Sequence, residues 1–238
     1  SKKQAQMCFE KGFKTVYYIP EEELTGNTKL MVQSYKSHTE IIDKPAIKKF
    51  FSKIKYPVAF FDAEMYAPAV PQYKGTSPFE AMPFLFSWHS MADEKAVPQH
   101  TYYYQEENKY AGKALLDYLI SEAEKVNTIL VFDTAQELKA LSAVVKHFPE
   151  YKKTIDKLKN KFLDFSDVFT NLWYYHPQTK GSMSLKKIYE SVFGKSIFDD
   201  LAIKSGLLAS YKYDEYLKET DLFKKDEIKN NLIDYCKK

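Results

Sequence analysis

The chain has 238 residues, of which 45% are hydrophobic and 16% aromatic, so it can bury one large core or two small ones and is not extensively disordered. Its two cysteines, Cys8 and Cys236, exclude a disulfide framework and a cysteine-rich zinc site within the chain, and we expect a cytoplasmic location. The net charge of +3 is too small to indicate nucleic-acid binding by itself. No apolar run reaches the roughly 18 residues that would predict a membrane span, so no membrane partner is expected.

Hydrophobic periodicity and turn residues divide the chain into strands followed by helices. Residues 1–55 are expected to be an N-terminal extension or a linker from an upstream region, and residues 56–238 the main domain. In chain order, the first predicted elements are a helix over 44–54, a strand over 57–65, a Pro-rich loop over 68–78, and two strands over 82–90 and 99–105 that form a hairpin with the strand over 57–65. They are followed by a helix over 109–126, a strand over 128–133, a helix over 135–148, a lysine-rich connector, a short helix near 165–172 and a turn over 174–182. The last two are helices over 184–193, capped by Ser184, and over 221–238, capped by Asp221. This order indicates an α/β or α+β fold with helices packed on a mixed sheet.

Two acids close the first predicted strand, where an uncompensated buried carboxylate costs several kcal/mol. Asp62 and Glu64 are two positions apart, so a strand directs both side chains to one face. Two like charges at that spacing repel unless a cation lies between them. Oxygen ligands with no cysteine or histidine nearby suit Mg²⁺ or Mn²⁺ rather than Zn²⁺. The alternative is that the strand ends near Phe61 and both acids are solvated, since D-x-E is a common pattern.

Further candidates follow other elements. Asp133 ends the second buried strand, and Glu137 lies in the first turn of the next helix. Because sites in α/β sheets gather at the carboxyl ends of strands, these acids are expected to meet the first pair. Tyr235, on the last predicted helix, stands where a particular motif would require a tyrosine, although a tyrosine on an apolar helix is more often a core residue.

These residues together resemble a DEDD-type 3′–5′ exonuclease domain. The resemblance implies an RNase H-like fold, which belongs to the α/β class and has a mixed β-sheet flanked by helices. From about Lys55 to its end, the sequence resembles more closely a bacterial family catalogued as a domain of unknown function, whose members often lie downstream of a RecB-like nuclease domain. The first family motif is YP-x-x-F-x-D-x-E, then a P-A-x-P-x-Y-x-G-x-x-P loop and an I-P-F-x-x-S-x-H strand. Residues 56–90, YPVAFFDAEMYAPAVPQYKGTSPFEAMPFLFSWHS, are similar throughout.

The second family motif, V-x-Y-N-x-x-F-E, resembles LVFDTAQE at residues 130–137. Glu137 matches the second-motif carboxylate of the exonucleases. Asp133 replaces an asparagine and Gln136 a phenylalanine, so either acid remains a candidate metal ligand, with Glu137 favoured.

Three more positions fall on a family stretch that contains Y-Y-H-P and G-S-x-S-I-K. They are Asp164, His176 and Lys186, for which a helix cap, a packed turn and a solvated lysine are the respective alternatives. Tyr235 and Cys236 match the start of a family Y-C-x-x-D-T segment, which has the Y-x-x-x-D spacing of tyrosine-type DEDD exonucleases. The acid of that motif would follow Lys238, so we expect that this sequence is a fragment; the alternative is that the fourth ligand is missing.

The resemblance implies a two-metal site for Mg²⁺ or Mn²⁺, with the metals about 4 Å apart. Asp62 would bridge the metals, Glu64 and Glu137 would be further ligands, and Tyr235 would orient the attacking water. The reaction implied is hydrolysis of the terminal phosphodiester of single-stranded DNA or RNA.

Contacts to the nucleic acid are expected from lysines and aromatic side chains. Lys74 and Lys186 are the candidates for phosphate contact, and Tyr66, Tyr73 and Phe79 are candidates for stacking on the terminal base, with packing of their own loop as the alternative. All 35 basic residues are lysines, so no bidentate guanidinium is available for this role. Another hypothesis is a catalytically weak or inactive nucleic-acid-binding or regulatory module of a larger nuclease. The resemblance also implies an upstream nuclease domain in the same full-length chain as a partner.

Overall fold

The computed structural model describes residues 2–238. The β-strands are, in chain order, Ile41–Ile42 (β1), Val58–Tyr66 (β2), Met82–Met91 (β3), Gln99–Tyr104 (β4), Thr128–Val131 (β5), Phe162–Asp164 (β6) and Tyr174–Tyr175 (β7). The α-helices are Lys2–Glu10 (α1), Gly26–Ser37 (α2), Lys44–Phe51 (α3), Gly112–Glu124 (α4), Thr134–His147 (α5), Lys152–Leu158 (α6), Asp167–Thr170 (α7), Leu185–Phe193 (α8), Gly206–Lys218 (α9) and Leu222–Cys236 (α10). None of these helices is long and apolar enough to cross a membrane.

Most of the predicted elements are confirmed, and so are two predicted helix caps. The first three strands of the main sheet are consecutive and antiparallel, as the predicted hairpins require. Ser184 Oγ accepts a hydrogen bond from the Lys187 N–H at the start of α8. The Asp221 carboxylate accepts from the N–H groups of residues 223 and 224 at the start of α10. These side chains satisfy N–H groups that have no partner within the helix.

The structure differs from the predicted elements in several places, including the predicted turn over 174–182, which begins with the short strand β7. The strand predicted over 128–133 ends at Val131, because Asp133 adopts a left-handed conformation with φ of 70° and begins α5. The lysine-rich connector contains α6 and is followed by the short strand β6. Helix α9 was not predicted at all.

The described residues form two compact units. The first contains residues up to Lys53 together with residues 166–196. Within it, β1 and β7 form a two-stranded antiparallel sheet, and the Asp43 N–H donates to the Trp173 carbonyl oxygen at 2.7 Å. The aromatic ring of Phe50, which is buried, lies 6.2 Å from that of Trp173. The boundaries predicted from sequence, 1–55 and 56–238, remain a prediction.

The second unit contains residues 54–165 and 197–238. Its five-stranded sheet has the order β4-β3-β2-β5-β6, in which β2, β3 and β4 are antiparallel neighbours and β2, β5 and β6 run parallel. Helices flank this mixed sheet, so the predicted α/β class, with a mixed β-sheet flanked by helices, is confirmed. The central strand β2 therefore carries Asp62 and Glu64 in the middle of the sheet.

The two faces of this sheet bury separate cores. One face, with Phe61, Phe86 and Trp88, packs against leucines of α4 and α5. The other, with Leu85 and Tyr104, packs against α9 and α10. Cross-strand partners share a face, and Leu85 pairs with Glu64. The α9/α10 face is therefore the face that carries the candidate acids.

Candidate active site

The two acids of β2 differ in their exposure to solvent. Asp62 pairs with Ser87 of β3, and Glu64 pairs with Leu85 just before an irregularity in the register at Met65. Asp62 is exposed, whereas Glu64 is buried. Because both point to the α9/α10 face, the strand holds one carboxylate at the edge of the covered region and the other inside it.

Glu137 is the most unusual acid of the group. It lies in the first turn of α5, is only 3% exposed, and its Oε2 atom has no hydrogen-bond partner. Burial, together with the nearby charges of Asp62, Glu64 and Asp133, raises the pKa of Glu137 to about 9. The carboxyl is therefore neutral at pH 7 unless a cation compensates its charge.

Asp133 has a different position. It is exposed, and its Oδ1 atom accepts a hydrogen bond from the Gln136 N–H at 3.3 Å, as an N-cap of α5. The carboxylate of Asp164 accepts from the N–H groups of Asp133 at 3.2 Å and Thr134 at 2.8 Å. Both carboxylates thus bind the N-terminus of α5, which places Glu137 one turn into the helix.

Tyr235 lies in the last turn of α10, close to the acids of β2. It is 7% exposed, and its ring centroid is 5.3 Å from that of Phe198. Burial raises the pKa of Tyr235, and the charges of Glu64 and Asp62 raise it further. Its hydroxyl therefore remains protonated at neutral pH and keeps the hydrogen of a donor.

The sequence analysis did not identify Gly206, the first residue of α9, as part of this region. A Cβ atom at this position would lie 3.2 Å from Glu64 Oε2, so a larger residue would require the carboxylate to move. The cap of this helix was visible in the sequence: Ser205 precedes Gly206 and an apolar pair, and its Oγ accepts from the Leu208 N–H. Glycine here allows α9 to begin directly beside the acid.

The chemistry of the donor set fits a hard divalent cation, because carboxylate oxygens are the ligands that Mg²⁺ and Mn²⁺ prefer. The orphaned Oε2 of Glu137 supports this fit. Across residues 2–238, however, no three His, Cys, Asp or Glu side chains are already arranged as a metal-binding group. The acids are near enough to influence one another's ionisation without forming a closed ligand cage.

The acids of β2 also have a cysteine neighbour in the folded chain. Cys236 is buried beside them: burial raises the pKa of its thiol, a hydrogen bond with Ser87 partly opposes this, and the charges of Asp62 and Glu64 raise the pKa further. The thiol therefore stays protonated at neutral pH, and a protonated thiol does not compete with carboxylates for a metal. Cys236 follows Tyr235 on α10, so the helix that brings the tyrosine to the acids brings the thiol as well.

The candidate nucleic-acid contacts in and beside the Pro-rich loop differ in their exposure to solvent. Lys74 is exposed, and Tyr73 is half-buried with its hydroxyl donating to Asn108 Oδ1 at 3.1 Å. Phe79 is 72% exposed and remains a candidate for base stacking. The suggestion that Tyr66 stacks on a base was wrong, because this residue is buried and its hydroxyl donates to Asp214.

The three other positions that match the family stretch are Asp164, His176 and Lys186. Asp164 caps α5, as described above. His176 accepts a hydrogen bond from the Gln178 N–H through Nδ1, and its Nε2 lies 3.4 Å from Glu40 Oε1. Lys186 is half-buried on α8. His176 and Lys186 belong to the first unit, whereas the four acids and Tyr235 belong to the second.

The sequence model of a family described as Domain of unknown function (DUF2779) matches residues 59–184, more than half of the chain. The chain belongs to this family. The part that matches DUF2779 includes Asp62, Glu64, Asp133 and Glu137, and it ends before Tyr235. No curated protein and no solved structure matches the chain.

Proposed function

We propose that this protein is a metal-dependent 3′–5′ exonuclease-like domain that hydrolyses terminal phosphodiesters of single-stranded nucleic acid. The observation that carries the proposal is the buried carboxyl of Glu137, whose Oε2 atom has no hydrogen-bond partner, near the charges of Asp62 and Glu64. Burying such a group is unfavourable, so its position calls for a compensating cation. The RNase H-like arrangement of the sheet is consistent with this activity but does not select it, since one fold supports many functions.

Asp62, Glu64 and Glu137 are the residues proposed to hold Mg²⁺ or Mn²⁺ in a two-metal site. The metal would neutralise charge on the phosphate oxygens and lower the pKa of a water molecule. The exposed carboxylate of Asp62 lies where the substrate can reach it, while the buried carboxylates of Glu64 and Glu137 are kept from bulk water. Asp133 is not proposed as a ligand, because its side chain caps α5.

Tyr235 is proposed to orient the reacting water and phosphate. Its hydroxyl keeps its proton at neutral pH and can donate a hydrogen bond to an oxygen beside Asp62 and Glu64. Its ring, packed on Phe198, fixes the direction of that hydroxyl. Orientation of this kind lowers the entropic part of the barrier without a change in the charge of the residue.

A second candidate function is nucleic-acid binding or regulation without hydrolysis. The specific observation in its favour is that the described acids do not form a ready-made metal-binding group. It predicts salt-sensitive binding of an oligonucleotide. In that case Asp62→Asn would leave the binding intact.

The experiment that tests these proposals uses single-stranded DNA and RNA carrying a 5′ label, with Mg²⁺ or Mn²⁺. The exonuclease predicts progressive shortening from the 3′ end, abolished by Asp62→Asn and retained by Glu94→Gln, a change of an exposed acid outside the site. Binding without shortening would favour the second candidate. If the protein neither binds nor shortens the oligonucleotides, both candidate functions are excluded.

A further inference from the structure

The family-like strand motif P-F-x-x-S-x-H contains two polar residues, Ser87 and His89, that have no role in the proposed chemistry. They lie two positions apart on β3, so both point to the α9/α10 face. Ser87 is the direct cross-strand partner of Asp62. A hydroxyl that is only 3% exposed, next to a candidate metal ligand, requires a partner of its own.

That partner is the end of α10. The Ser87 hydroxyl donates to the carbonyl oxygen of Cys236 at 2.7 Å, in a buried hydrogen bond between residues distant in the sequence. Carbonyl groups in the last turn of a helix have no partner within the helix, so an external donor both satisfies and fixes them. Burial lowers the pKa of His89, and the backbone of Lys237, the next residue, lies close enough to oppose this shift. Ser87 therefore binds the last turn of α10, and His89 lies beside the residue that follows it.

A second histidine supports this arrangement from β4. His100 Nε2 lies 3.2 Å from Ser87 Oγ, and the His100 ring is 4.4 Å from the ring of His89. Because the Ser87 hydrogen is used for Cys236, its oxygen is free to accept from an Nε2–H of His100. The hydroxyl is thus oriented from both sides, and its hydrogen points towards α10.

We propose that Ser87, with His89, is a positioning residue that holds Tyr235 in place over Asp62 and Glu64. The inference rests on the proposed exonuclease function, in which Tyr235 orients the reacting groups. Tyr235 immediately precedes the carbonyl group that Ser87 binds, and Asp62 lies directly opposite Ser87 in the sheet. One hydroxyl therefore links the strand that carries the acid to the helix turn that carries the tyrosine.

The first test measures the attachment itself and needs no activity. Alkylation of Cys236 by iodoacetamide, followed by peptide mass spectrometry, reports the opening of the last turn of α10, because this thiol is buried. Cys8, the other cysteine, is also buried and is an internal control for general unfolding. Ser87→Ala is expected to accelerate alkylation of Cys236 about fivefold, the effect of losing about one net hydrogen bond, while Cys8 is unaffected.

The second test separates positioning from general stability. Ser87→Ala is expected to lower kcat on an oligonucleotide about 10- to 100-fold with little change in KM, because misplacement by about 1 Å has effects of this size. Ser87→Thr retains the hydroxyl and is expected to restore kcat. In a Tyr235→Phe background, Ser87→Ala is expected to have little further effect, since it acts through the tyrosine. Ser90→Ala, on the same strand but the opposite face, is the matched control.

The outcomes distinguish this inference from the proposed function. If the wild type does not shorten oligonucleotides, the exonuclease proposal fails. Independently of activity, an unchanged rate of Cys236 alkylation in Ser87→Ala would show that Ser87 does not hold the last turn of α10. If the wild type is active and Ser87→Ala keeps the wild-type kcat, the positioning role is wrong. It is equally wrong if the effects of Ser87→Ala and Tyr235→Phe multiply independently. Faster alkylation together with a kcat loss that Ser87→Thr restores would support it.

Discussion

The carboxyl of Glu137 on α5 lies within the electrostatic field of Asp62 on β2, in a position where Glu137 Oε2 has no hydrogen-bond partner. This relationship joins the middle of the sheet to the start of a helix. A cation bound beside Glu137 would offset the unfavourable free energy of burying its carboxylate. The predictions below begin with this pair and then consider the elements that hold it.

Divalent metal is expected to stabilise the folded protein through Glu137. At a metal concentration 100 times the Kd, linkage gives about 2.7 kcal/mol, which for a chain of this size raises Tm by several degrees. Glu137→Gln should remove most of this increment, because the amide carries no charge for the cation. Differential scanning fluorimetry with and without Mn²⁺ measures it, with Glu94→Gln as the control. Equal increments in the two variants would contradict the assignment.

The stability of the metal-free protein is expected to fall as the pH rises. The pKa of Glu137 rises from its ordinary value of 4.5 to about 9 in the folded state, mainly because the group is buried. Between these values the folded state keeps a proton that the unfolded state has lost, so the free energy of unfolding decreases by up to about 1.4 kcal/mol per pH unit.

The comparison that isolates this effect is with Glu137→Gln, which has the same shape and does not ionise. Urea denaturation in the presence of a chelator, from pH 5 to pH 9, should show a shallower pH dependence for the variant than for the wild type. Parallel curves would mean that Glu137 does not titrate in this range.

Tyr235→Phe is expected to lower kcat about 10- to 100-fold, because the ring still packs on Phe198 while the orienting hydroxyl is lost. KM and Tm should change little. Tyr216→Phe, at another buried tyrosine of the same core, is the matched control for the loss of a phenolic hydroxyl. Steady-state kinetics on a single-stranded oligonucleotide would contradict the role if both variants had the same kcat.

Asp164→Ala is expected to destabilise the second unit by about 1–3 kcal/mol, since two N–H groups at the start of α5 lose their acceptor. Asp164→Asn keeps an acceptor oxygen and should lose less. Urea denaturation measures both. Asp164→Ala should also reduce the metal-induced increment in Tm, because α5 positions Glu137. If the stability of Asp164→Ala equals that of the wild type, the cap has no energetic role.

Local sequence pattern predicted the elements with strong periodicity or clear caps. The apolar run before Asp62 indicated β2, and Ser184 and Asp221 marked the starts of their helices. The short strand β6 was missed because three residues are too few to show alternation and lysines precede them. Helix α9 was missed because its core tyrosines also favour strands.

The candidate site was only partly predictable for the same kind of reason. The spacing of Asp62 and Glu64 fixes a common face within one strand. The other contacts of the site depend on how the strands pair and where α9 and α10 pack on the sheet. They include the hydrogen bond from Ser87 to the Cys236 carbonyl and the close approach of Gly206 to Glu64. Such contacts depend on sheet register, which a single sequence specifies only through the whole pattern of buried residues.

The most direct test of the central claim is anomalous diffraction from crystals of the protein soaked with Mn²⁺. The account predicts an anomalous peak within about 2.5 Å of carboxylate oxygens of Asp62, Glu64 and Glu137, and its loss in Glu137→Gln crystals. The absence of a peak at these carboxylates at saturating Mn²⁺, or a peak that persists in Glu137→Gln, would contradict it.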